Sequence, residues 1–125
     1  MGFWVFMTAM DMLIPLVMLI FGAVFIRRAP KKINYFFGYR TERSMKNKDT
    51  WEFAHKYIGK IWLVVGAILL VLSLAVMLFL YGASEAVISL IGTVLTFLQL
   101  VGIIVPVFPT ERALSKGFDN NGNRK

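Results

Sequence analysis

The sequence predicts an all-α membrane protein with three transmembrane helices. Three observations carry that prediction. Apolar residues make up 58% of the chain and charged residues 17%, where soluble domains run nearer 45–50% and about 25%. Residues 61–81 hold no charge, and neither do residues 86–108. The 14 Lys and Arg fall in two places, ten between Arg27 and Lys60 and four (Arg112, Lys116, Arg124 and Lys125) near the C-terminus. The length of 125 residues fits one domain, a single transmembrane unit over 1–125.

The first span covers about residues 3–26. An α-helix rises 1.5 Å per residue and needs about 20 residues to cross the hydrocarbon, so the run suffices. No Lys or Arg precedes Arg27, and the basic cluster follows the apolar run. A cleavable signal peptide has the reverse order, so this segment is expected to stay. Asp11 interrupts the run, and Pro15 follows four residues later. Proline lacks the backbone donor that would bond the carbonyl one turn back. In a membrane a neighbouring helix must satisfy the freed group.

Arg27-Arg28-Ala29-Pro30 closes this span, because the residue before a proline disfavours helix. Residues 27–60 read as a basic, aromatic-rich connector. Within it, Asp49-Thr50-Trp51-Glu52 resembles a helix start, with Asp49 capping and Glu52 three residues on. One continuous helix is expected from about Thr50 to Tyr81, its part over 61–81 forming the second span. Trp51, Tyr57 and Trp62 suit the headgroup belt. The connection 82–85 is so short that the flanking helices must be antiparallel neighbours. The third span covers 86–108, and Pro106 and Pro109 mark its end. The tail 109–125 is expected to start as a short helix around Leu114 and Phe118 and to finish in mobile residues.

Three crossings leave the N-terminus and the 82–85 loop on one side. That side carries no Lys or Arg. The connector and tail share the other, which carries all 14. The positive-inside rule then puts the N-terminus outside and the connector and tail in the cytoplasm, and makes the chain a multi-pass membrane protein; the family resemblance given below implies that the membrane is a bacterial cytoplasmic one. The net charge of +7 follows from this asymmetry. It points to anionic lipid headgroups beside the connector rather than to nucleic acid.

The chain has no Cys and one His. Disulfides, thiol catalysis and Cys-ligated metal are thereby excluded. Met7, Met10 and Met12 flank Asp11, and thioethers bind Cu(I). No His or Cys joins them, so gap-filling is the simpler role and no cofactor or metal is expected. Intramembrane acids are expensive and default to functional hypotheses. Asp11 is therefore a candidate proton or cation site, or a contact for a ligand. The bland alternative places it shallowly, protonated or reached by water. Ser73, Ser89, Thr93, Thr96 and Gln99 are polar groups inside the spans, and Gly92 with Thr96 forms a small-xxx-small pair. Interhelical packing explains them. A substrate path would require a homo-oligomer.

The connector reads Asn34, three residues, Gly38-Tyr39-Arg40-Thr41, two residues, Ser44, then Trp51, Ala54 and His55. This pattern resembles the SdpI family of bacterial multi-pass membrane proteins. The segment Pro109-Thr110-Glu111-Arg112-Ala113-Leu114, with Phe118-Asp119-Asn120-Asn121-Gly122, is similar to that family's C-terminal end. The resemblance spans roughly residues 30–125. It implies immunity to a secreted, membrane-active toxin peptide, and it makes Asn34, Gly38, Tyr39, Arg40, Thr41, Ser44, Trp51, His55 and Glu111 the candidate site. Physically, Gly38 is expected to make a turn carrying Arg40 and Thr41. Asn34, Thr41 and Ser44 bond the loop's own backbone, and Trp51 packs over it. Arg40 is expected to pair with Glu111 or Glu52, since a guanidinium suits a carboxylate. His55 is expected to be hydrogen-bonded at the membrane edge.

Three functions compete. The first is an immunity or resistance protein that binds or excludes a toxin peptide. The second is a membrane sensor or adaptor whose basic loop and tail dock a cytoplasmic regulator such as a repressor. The third is a small proton- or cation-coupled transporter using Asp11. An enzyme would need a positioned nucleophile, base or metal, and no such set stands out.

Overall fold

The computed structural model describes residues 2–28 and 39–125, with Arg28 described by its backbone alone. Four helices follow in order: α1 (Gly2–Arg28), α2 (Lys48–Phe79), α3 (Glu85–Ile104) and α4 (Val107–Gly117). Three helical segments are long and apolar enough to cross a membrane, beginning at Gly2, Lys48 and Glu85. Large apolar side chains such as Ile20, Val71, Phe79, Leu90 and Phe97 point away from the bundle, as lipid-facing positions do.

The most extensive interface joins α1 and α2. It is built on glycine. A Cβ on Gly22 would stand 2.8 Å from the Gly59 carbonyl oxygen, and a Cβ on Gly59 would stand 2.8 Å from that of Gly22. The two backbones therefore touch, an approach that small residues permit in membrane helices. Two turns further along α2, Gly66 meets the Pro15 carbonyl and the Met18 side chain.

α2 is one continuous helix, as its pattern predicts, but its start differs. Asn47, not Asp49, is the N-cap. Its Oδ1 accepts from Thr50 N–H at 2.9 Å, and Thr50 Oγ1 accepts from Asn47 N–H at 3.0 Å. This reciprocal pair satisfies two orphan donors at once. Asp49 and Glu52 fall inside the first turns, where Glu52 lies 4.0 Å from Lys48.

The α2–α3 connection runs over residues 80–84, starting two residues earlier than expected. Gly82 takes φ +84°, and Ser84 already caps α3, accepting from Val87 N–H at 3.3 Å. α3 ends at Ile104, short of Phe108. The chain then turns at Val105-Pro106 and resumes as α4, with Pro109 in its first turn. A proline there sacrifices nothing, since first-turn N–H groups have no helical partner. Leu114 of α4 buries against Phe25, Ala54 and Ile58, together with Tyr39 and Phe118. A second apolar cluster of Met77, Ile88 and Leu95 lies at the far end of the bundle, where Trp4 donates to the Met77 carbonyl at 2.7 Å.

The C-terminal residues fold back in a hydrogen-bonded turn. Asp119 Oδ1 accepts from Asn121 N–H and Asn123 N–H, both at 2.9 Å. An aspartate that bonds backbone two residues on makes a turn by itself. Gly122 supplies the positive φ of 85°. The turn is gripped from outside, because Asn47 Nδ2 donates to the Gly122 carbonyl at 2.6 Å. The Arg124 guanidinium then lies 5.1 Å from the Phe118 ring centroid.

Candidate functional site

Loop, α2 and α4 meet in one polar cluster at the basic end of the bundle. Thr41 and Ser44 build its turn. Ser44 Oγ lies 3.0 Å from the Tyr39 carbonyl and 2.9 Å from that of Thr41, and it accepts from Thr41 N–H at 2.9 Å. Thr50 of α2 closes the segment by donating to the Ser44 carbonyl at 3.0 Å. The expected bonding of the loop to its own backbone is thus present for Thr41 and Ser44. Asn34 and Gly38 lie outside the described residues.

Glu111 joins α4 to this loop. Its Oε2 accepts the Tyr39 hydroxyl at 3.0 Å and the Thr41 hydroxyl at 3.1 Å. Two hydroxyl donors that the sequence pattern does not announce, on Tyr39 and Thr41, therefore meet this carboxylate. Tyr39 is a buried residue with 8% exposure. Burial and the adjacent Glu111, through its hydrogen bond and its charge, hold the phenol above its ordinary pKa. It is a donor, never a phenolate, at physiological pH. Arg40 itself is exposed.

His55 sits beneath the loop, fully buried. Its Nε2 accepts from Tyr39 N–H at 2.9 Å, so that nitrogen carries no proton. Its Nδ1 lies 2.7 Å from the Trp51 carbonyl and must donate. The two bonds select one neutral tautomer. Phe25 meets the ring edge-on at 4.8 Å and Trp51 lies 4.3 Å away. Burial pushes the imidazole pKa down, only partly offset by the Trp51 carbonyl. Trp51 itself is fully buried. It packs against the histidine that holds the loop.

The intramembrane candidate is a separate cluster. Asp11 is fully buried among the helices. Thr96 Oγ1 lies 3.0 Å from Asp11 Oδ1, and Gln99 Nε2 donates to the Asp11 carbonyl at 2.8 Å. That carbonyl is the one Pro15 leaves without its helical donor. The second amide hydrogen of Gln99 reaches Ser73 Oγ at 2.8 Å. Three helices are tied through one glutamine. A polar residue in an apolar span, together with a proline four residues after an orphaned carbonyl, was the signal for this pairing. Opposite, Asp11 Oδ2 and Met7 fill the space where a Cβ on Gly92 would stand.

Among the described residues no three His, Asp or Glu side chains converge as a metal site would require. The arrangement at the basic end joins the loop and the C-terminal segment through Glu111 and Asn47.

Comparison with known proteins points the same way as the connector pattern. The SdpI/YfhL protein family matches residues 31–110. A curated Bacillus subtilis (strain 168) protein, described as uncharacterized protein YfhL, is 28% identical over 110 residues, covering 84% of this chain and 90% of that protein. No solved structure matches the chain.

Proposed function

Because the chain belongs to the SdpI/YfhL family, we propose that it is a membrane immunity protein that protects its cell from a membrane-active toxin peptide. The family match carries this reading, and three apolar helices with outward-facing side chains suit it. In the proposed orientation the N-terminus and the Gly82 turn face outward. The connector, α4 and the tail face the cytoplasm, with the lysines and arginines beside anionic headgroups. The peptide meets the outer ends of α1, α2 and α3. The test is expression in a toxin-sensitive bacterium challenged with membrane-active peptides. Survival above the empty-vector control supports the reading, and equal killing for every peptide of the related class ends it.

One observation favours a second reading. Glu111 locks α4 to the Tyr39–Ser44 loop, and such a surface suits a cytoplasmic regulator, for example a repressor held at the membrane. Capture of a regulator by the native chain but not by an Arg40→Ala chain separates docking from protection alone.

A further inference from the structure

Asp11, Ser73, Thr96 and Gln99 hold more acceptors than donors. Asp11 Oδ2 and Gln99 Oε1 are both buried without a hydrogen-bond partner. Both amide hydrogens of Gln99 are already committed, to the Asp11 carbonyl and to Ser73. The Thr96 hydroxyl has one hydrogen, yet it lies 3.0 Å from both Asp11 Oδ1 and the Gly92 carbonyl. If that hydrogen goes to Gly92, nothing on Thr96 is left to serve the carboxylate.

Among the described residues no cation balances the acid. Asp11 is the sole Asp, Glu, Lys, Arg or His in residues 2–26, and residues 61–81 and 86–108 contain none. The nearest charged side chain in sequence is Arg27, at the opposite end of α1, and the charge closest to Thr96 and Gln99 along the preceding part of α3 is Glu85, at its first residue. Tyr81, a further titratable group, packs on Trp4 at the far end of the bundle. An ionised carboxylate without a partner in such surroundings is strongly disfavoured. A proton removes the charge. It also turns one bare acceptor into a donor, which is what the cluster lacks.

We propose that this cluster is a proton-binding site, with the proton held on the Asp11 carboxyl and the junction of α1 with α3 dependent on it. Loading the site lets α3 pack across Asp11. Discharging it leaves an anion facing the Thr96 hydroxyl and Gly92, and α3 is pushed away. The site is independent of the proposed immunity role and stands without it.

The test uses the full chain in lipid nanodiscs, read by infrared spectroscopy. The native protein at neutral pH shows the carbonyl stretch of a protonated carboxylic acid. That band disappears in Asp11→Asn and shifts in Thr96→Val, which removes the hydroxyl beside Oδ1. Raising the pH bleaches the band and lowers the melting temperature together, while the melting temperature of Asp11→Asn does not follow. Absence of the band from the native chain at neutral pH overturns the proposal, as does its survival in Asp11→Asn. Should Asp11→Asn fail to accumulate, Thr96→Val decides, and an unmoved band there also overturns the proposal.

Discussion

Gln99 completes the helix that Pro15 interrupts. Its Nε2 stands 2.8 Å from the Asp11 carbonyl, the acceptor that a residue with an N–H at position 15 would have bonded within α1. A side chain on α3 thereby does backbone work for α1. Gln99→Leu is expected to destabilise the protein by about 1–3 kcal/mol, since it strands a buried carbonyl and Ser73. In a Pro15→Ala background the restored N–H serves the carbonyl, and the same substitution should cost measurably less. Thermal unfolding in detergent of the two singles and the double measures the coupling. Equal costs in both backgrounds would show that Pro15 and Gln99 act separately.

Glu111 is expected to matter through hydroxyls. Glu111→Ala leaves the Tyr39 and Thr41 hydroxyls without their acceptor and should cost about 1.5–3 kcal/mol. Glu111→Gln keeps an acceptor oxygen and should cost less. Tyr39→Phe combined with Glu111→Ala should be less damaging than the sum of the two. Limited proteolysis between residues 40 and 47 reports the same loss as loop opening.

The state of His55 gives the basic end a defined pH response. Its folded pKa lies below the ordinary 6.5, so the unfolded chain binds the extra proton first as the pH drops. The histidine's contribution is therefore complete above 6.5 and is lost as pH falls below it, with a limiting slope of about 1.4 kcal/mol per pH unit. Tyr39, the titratable group bonded to it, stays neutral over that range. His55→Gln offers a donor and an acceptor without titrating. Melting temperature against pH should flatten in that variant relative to the native chain.

Asn47 performs two tasks that substitution can separate. Asn47→Asp keeps an oxygen for Thr50 N–H but loses the amide donor to Gly122. It should release the tail to carboxypeptidase while leaving α2 intact. Asn47→Ala loses both, and the missing cap adds about 1 kcal/mol of destabilisation. Equal tail release in native and Asn47→Asp chains would show that the grip on Gly122 is weak.

The spans were readable because lipid leaves a strong mark. Charge-free runs such as 61–81 satisfy a length requirement that few other structures impose. The cap of α2 was misplaced by two residues because Asn47 and Asp49 both offer an acceptor. Each also has a residue three positions on that can answer, Thr50 or Glu52; Asn47 prevails where the Gly122 carbonyl holds its amide and the Ser44 carbonyl holds Thr50. The tail looked mobile because its composition is polar. Its turn is bonded to Asn47, 75 residues away in sequence, and no local pattern announces such a contact. At the candidate site, Thr41 and Ser44 were legible since their partners are their own neighbours. The Tyr39–Glu111 and His55–Tyr39 bonds were not, because both require knowing that α4 and the loop fold over the start of α2.

The glycine contact between α1 and α2 has a consequence for biogenesis. Gly22 and Gly59 lie backbone to backbone, so the first two helices fit together without the third. During synthesis this hairpin precedes α3, and for that interval Asp11 faces acyl chains instead of Thr96 and Gln99. A translocon that delays lateral release until Gln99 emerges would spare the acid that exposure. Slowing translation between codons 80 and 99 should therefore lower the yield of inserted protein, and replacing Asp11 with a neutral residue should remove that sensitivity.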